Sequence, residues 1–274
     1  MFKRLCLILF FLIPTTGAFA QDDAGLTPLV DALKLHEIFD VMQKEGIEYG
    51  KDIDREMLGN SGGMKWQIAV EGVYESSRIW KTFIPRFTAE MKGADTDAML
   101  AFFKSDLGRR VVSLELSART ALLDKALEQD NLDNLQQMIE RDDPRLALLR
   151  EFIEVNDLVE FNVAGSLNSY YAFYVGLIDG QAFGYEVTEE DLLKDVWSQE
   201  VETRSDTEEW LYSYLALAYA PLSDEELQQY IDFSGTKAGR ALNAALFAGF
   251  DDVFTNVSKA LGLSAATFMK GEDL

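Results

Sequence analysis

The sequence predicts an all-α protein, a helical bundle built from two pseudo-symmetric tandem repeats. Three observations lead there. Apolar residues recur at three- and four-residue spacing along most of the chain. Few segments alternate with period two, and hairpin dipeptides are scarce, with Asp179-Gly180 the exception. The second half also echoes the first in fixed register.

Each element follows in order. Thr27-Pro28 reads as an N-cap with proline at the first helical position. Leu29, Val30, Leu33, Ile38, Val41 and Met42 continue at helical spacing, and Gly46 is expected to stop that helix. A long helical stretch is expected over 64–91, with Pro85 as its kink or break. Residues 95–104 read as a short helix and 108–129 as another. Asp143-Pro144 reads as a second cap-and-proline pair, opening a run through Leu146, Leu149, Phe152, Ile153 and Val159.

The echo runs at two offsets. Phe39, Val41, Gly46, Gly50, Glu56 and Leu58 recur 134 positions later as Phe173, Val175, Gly180, Gly184, Glu190 and Leu192. Three residues then drop out around 60–63. At offset 131, Trp66, Val70, Glu71, Ala89, Phe102, Gly108 and Arg109 recur as Trp197, Val201, Glu202, Ala220, Phe233, Gly239 and Arg240. Two copies of one helical unit can bury their apolar faces against each other. The expected division is a leader at 1–20, a first repeat at 21–142 and a second at 143–274.

The leader reads as a cleavable secretory signal. Lys3 and Arg4 precede an apolar run from Leu5 to Ile13, Pro14 ends it, and Ala18-Phe19-Ala20 supplies small residues before cleavage between Ala20 and Gln21. The run is shorter than the roughly 20 residues a bilayer-spanning helix needs. A soluble periplasmic product is expected, with no stable membrane insertion after cleavage. Cys6, the single cysteine, leaves with the leader. That excludes disulfides, thiol catalysis and cysteine-ligated metals from the mature chain. Losing Lys3 and Arg4 also takes the formal charge from −22 to about −24. Such a surface repels nucleic acid and anionic lipid.

The most distinctive repeated element is Asp97 to Arg109, with its partner Gln228 to Arg240. Leu222-Ser223-Asp224-Glu225-Glu226-Leu227 precedes the partner, with Ser223 and Glu226 spaced as a capping box. Ser105 and Thr236 stand where the next helix would be capped, and Gly108 and Gly239 fall in its first turn. A glycine there costs helix stability, so a close approach of neighbouring backbone is expected. This pattern resembles the bacterial exported family called domain of unknown function 2059. In that family a short helix ends in an aromatic pair, and a Ser-Pro-x-Gly-Lys-like corner opens the next helix. Asp106 and Lys237 replace its frequent Pro, and Ser234 replaces the second aromatic. The resemblance covers roughly 30 residues in each half, with the family-like segment of the second repeat at about 222–262. It implies an all-helical periplasmic protein of uncharacterised activity and transfers no catalytic residue.

Candidate sites are sparse. His36 is the only histidine, and metal centres usually recruit more than one nitrogen or a tight carboxylate set. Glu189-Glu190-Asp191 is explained by the positive end of a helix capped at Thr188. Asp251-Asp252 is a second acidic pair. Glu71 with Arg109, and Glu202 with Arg240, are expected to join the long helix to the helix after the corner. Tyr170, Tyr171, Phe173 and Tyr174, with Trp210, Tyr212, Tyr214 and Tyr219, are suited to a core or a pocket between helices. Nucleotide-binding glycine motifs are absent, and no cofactor or metal is expected. The expected function is non-enzymatic binding or scaffolding of an envelope protein, peptide or small apolar ligand. A carboxylate- or metal-dependent hydrolase is the alternative.

Overall fold

The structure, a computed structural model, describes residues 25–185 and 187–270. The leader, Cys6 and the Ala20–Gln21 junction lie outside the described residues. Thirteen helices and no strand occur among the described residues. They are α1 (Thr27–Ala32), α2 (Leu35–Met57), α3 (Gly63–Val73), α4 (Ser76–Glu90), α5 (Thr96–Phe103) and α6 (Asp106–Ala121). After α7 (Lys125–Glu140) come α8 (Arg145–Val155), α9 (Leu158–Asp179), α10 (Glu189–Ser198), α11 (Glu200–Tyr219), α12 (Asp224–Ser234) and α13 (Lys237–Met269). The expected boundary between residues 142 and 143 falls in the loop joining α7 to α8. No helix among the described residues is long and apolar enough to cross a membrane.

Several expected boundaries move, each for a physical reason. The helix foreseen from Thr27 to Gly46 is two helices, because Lys34 takes a left-handed conformation at φ 51°. Gly46 does not stop α2, which runs through it to Met57. Its missing side chain makes room for Tyr74, whose ring atoms would lie 2.3 Å from a β-carbon at position 46. The 64–91 stretch breaks at Tyr74 and Glu75, not at Pro85, which sits inside a continuous α4. Ser76 pins that break by donating its hydroxyl to Asp40 at 2.9 Å on α2. The 108–129 helix divides at residues 122–124, where Asp124 caps α7.

The corners behave as expected. Ser105 accepts from the Gly108 amide at 3.0 Å, and Thr236 accepts from the Gly239 amide at 3.0 Å. A β-carbon at Gly108 would meet the Phe102 carbonyl at 2.2 Å, and one at Gly239 the Phe233 carbonyl at 2.3 Å. Each short helix therefore ends against the first turn of the next, a spacing no larger residue allows. Ser223 and Glu226 form the full capping box that opens α12.

α13 is the axis of the fold. Leu242, Ala245, Val253 and Leu261 belong to the largest apolar core, with residues of α1 to α5 and α9. Phe247 turns instead into a second core shared by α6, α8, α11 and α12. α9 crosses α13 at near backbone contact: a β-carbon at Gly262 would lie 2.0 Å from the Phe173 carbonyl. Both halves of the chain thus contribute to one core.

Candidate functional site

Helix α6 carries its buried residues at Gly108, Val111, Val112 and Ala118. Glu115 lies on the same stripe, and α6 delivers it into the junction of the two halves. Its carboxylate accepts hydrogen bonds from Tyr219 at 2.6 Å, on α11, and from Tyr230 at 3.2 Å, on α12. Tyr214, also on α11, donates to the Glu115 main-chain carbonyl at 3.1 Å. One turn on, Arg119 grips Glu45 of α2 through two bonds of 2.7 Å. Lys34 donates to Ser113 at 3.0 Å. The nearby cations are therefore bonded to other groups, and the Glu115 carboxylate accepts from neutral hydroxyls.

This environment sets the proton affinity of the group. Burial pushes the Glu115 carboxyl up to about 7, while hydrogen bonds from Tyr219 and Tyr230 pull the other way. Burial and the neighbouring carboxylate raise both tyrosines well above their ordinary value, so they remain donors.

Glu115 forms part of the wall of a half-open recess of about 120 Å³. Leu33, Leu35, Ile38, Leu242 and Leu246 supply aliphatic walls, and Phe103, Tyr230, Phe233 and Phe250 supply aromatic ones. The amide of Asn243 donates to the Asn156 carbonyl at 3.0 Å, and that of Asn156 to the Phe152 carbonyl at 2.9 Å. Behind the recess the rings are ordered. Phe102 and Phe233 stack at 4.1 Å and 6°, and Tyr230 stacks on Phe102 at 5.5 Å. A second recess, of about 200 Å³, lies between α4 and α13, but Arg78 in its wall already donates to the Gly72 carbonyl.

The residues singled out from sequence divide sharply. Gly108 and Arg109 occupy the same positions at the α5–α6 corner as Gly239 and Arg240 at the α12–α13 corner. Arg109 donates to the Lys104 carbonyl and pairs with Asp106, and Arg240 donates to the Gly235 carbonyl. Each guanidinium thus bonds a carbonyl of its own corner. Glu71 is exposed on α3 and Glu202 exposed on α11. Trp66 is buried at 1 % and donates its indole N–H to the Gly50 carbonyl at 2.8 Å, whereas Trp197 is 65 % exposed. His36 is exposed and lies against the ring of Trp80 at 4.5 Å. Asp251 accepts from Asn168 at 3.3 Å, and burial pushes it up to about 6. Of the aromatic candidates, Tyr214 and Tyr219 reach Glu115. Sequence reasoning missed Glu115 and Tyr230. The available signal was an acidic residue on the apolar stripe of an amphipathic helix.

Among the described residues, no three His, Cys, Asp or Glu side chains stand together as a metal site. The site is that of an all-helical protein with a lone carboxyl in an apolar junction. Residues 77–136 match the model of a bacterial family described as "Uncharacterized protein conserved in bacteria (DUF2059)". The match includes the α5–α6 corner and Glu115, and the segment at 222–262 lies outside it. No curated protein matches the chain. No solved structure matches it either.

Proposed function

We propose that the chain is an exported, periplasmic binding protein, made of two copies of one helical unit, that holds a small ligand where the copies meet. The observation that carries the binding role is the recess beside Glu115. It is mostly apolar, has few polar groups, and is walled by helices from both halves, features shared with small-molecule sites.

The duplicated reading has its own support. The two corners share their caps, their glycine contacts and their arginine contacts at offset 131. Phe102 and Phe233, 131 positions apart, stack on each other, as residues beside a pseudo-two-fold axis do. Phe103 and Ser234, Val112 and Asn243, and Glu115 and Leu246 are three further pairs at that offset, and all six residues line the recess. A site beside such an axis gains a carboxyl from one copy and a leucine from the other. Duplication followed by divergence would produce a one-sided pocket in this way.

Two measurements test the proposal. Native mass spectrometry of protein recovered from the exporting cell is expected to show a co-purified small molecule, lost on widening substitutions at Leu246. The intact mass is expected to correspond to a chain beginning at Gln21. A full-length chain retaining Met1 would remove export by cleavage. A chain with nothing bound, and no affinity for small aromatic probes, would remove the binding role.

A further inference from the structure

Resting on the binding role proposed above, we infer the class of ligand: a small cationic amphiphile, an amine on a compact apolar body, whose ammonium pairs with Glu115. Three features of the recess point to this class.

The first is charge. Glu115 is the only carboxylate among the lining residues, and no lysine, arginine or histidine lines the recess with it. Arg119 is held by Glu45, Lys34 by Ser113, and the hydroxyls on the carboxylate are neutral. A negative group in an apolar wall lacks its counter-ion, and an ammonium supplies both charge and donors.

The second is the aromatic lining. Phe103, Tyr230, Phe233 and Phe250 surround the apolar space, and ring faces attract cations. The third is size. A dry cavity of about 150 Å³ takes one benzene ring. This half-open recess, at about 120 Å³, suits a single small ring or a short branched chain with its head at Glu115.

The pairing is pH-dependent. Glu115 faces Tyr214 and Tyr219 on α11 and Tyr230 on α12, with Arg119 on its own helix, Glu45 on α2 and Lys34 just before it. α13 presents Leu242 and Leu246 to the recess. Of these groups Glu115 is the one whose carboxyl sits near 7. A cation therefore binds better as pH rises through neutrality, and a neutral isostere does not.

The test is titration calorimetry of the mature chain with benzylamine and with benzyl alcohol. Benzylamine is expected to bind about tenfold more tightly than benzyl alcohol at pH 8, the worth of one charge-assisted hydrogen bond. Its affinity is expected to fall about tenfold between pH 8 and pH 5.5 as the carboxylate is protonated. Glu115→Gln is expected to abolish the preference for benzylamine over benzyl alcohol and its dependence on pH. Equal binding of the two probes by the unaltered chain would overturn the amine assignment and leave the binding role standing. Binding of neither would overturn both. If circular dichroism shows that E115Q is unfolded, the pH series on the unaltered chain decides: an unchanging benzylamine affinity overturns the inference.

Discussion

Trp66 and Trp197 occupy matching places in the register of 131 and opposite environments in the fold. Trp66 is sealed under Phe268, whose ring meets it edge-on at 5.5 Å from the last turn of α13. Trp197 is 65 % exposed, and Val201 beside it is 77 % exposed, whereas Val70 is 2 % exposed. The difference comes from the helices that follow the two corners. α13 runs for 33 residues and reaches α3, whereas α6 stops after 16. The two corners, by contrast, share their caps, their glycine contacts and their arginine–carbonyl bonds. Structure that depends on neighbours a few residues away occurs in both halves. Cover by a distant helix occurs in one.

That contrast can be broken or sharpened by experiment. The largest effect is expected at Trp66. Trp66→Ala removes a fully buried ring and its bond to the Gly50 carbonyl, at a cost of about 4 kcal/mol. Trp197→Ala is expected to change stability by less than about 0.5 kcal/mol. Chemical denaturation of the two variants measures both, and equal losses would end the comparison.

Next is Glu115, whose partner position Leu246 cannot titrate. Its carboxyl is raised in the folded chain, so the folded state holds its proton more tightly than the unfolded state does. The resulting stability is present below about pH 4.5 and is lost as pH rises to about 7. Asp251 acts in the same sense between about 4 and 6. From pH 5 to pH 8, Glu115→Gln is expected to gain up to about 3 kcal/mol on the unaltered chain. A constant difference between the two across that range would show that Glu115 is not held in a low-dielectric place.

Smaller and matched effects are expected at the corners. Gly108→Ala and Gly239→Ala each drive a β-carbon against a carbonyl, costing about 2 kcal/mol. Ser105→Ala and Thr236→Ala each remove a cap worth about 1 kcal/mol. Within each pair the losses should agree; a corner that tolerates alanine in one half alone would break the equivalence of the two.

Much of the local structure was legible in advance. Capping residues were read correctly at Ser105, Thr188, Ser223 and Thr236, because a cap is a contact between a side chain and an amide two or three residues away. The division at Lys34 was invisible, since a lysine carries no signature of a left-handed conformation. Gly46 was misread as a helix stop because its role, admitting Tyr74, lies in another helix. Matching positions in a register do not reveal which acceptors an arginine bonds; Arg109 and Arg240 each bond a carbonyl of their own corner. Tyr214 and Tyr219 were noticed as aromatics, but nothing in their spacing names Glu115, about 100 positions away, as their acceptor.

The sequence alone therefore determined the helical class, the corners and the resemblance to an uncharacterised bacterial family. Each rests on short-range periodicity, capping and steric demand. Tertiary structure alone decided that Trp66 is covered and Trp197 bare. It also brought a carboxyl from α6 to tyrosines of α11 and α12 beside an apolar recess. Burial and proton affinity depend on which distant surfaces come together, and a linear pattern does not encode that directly.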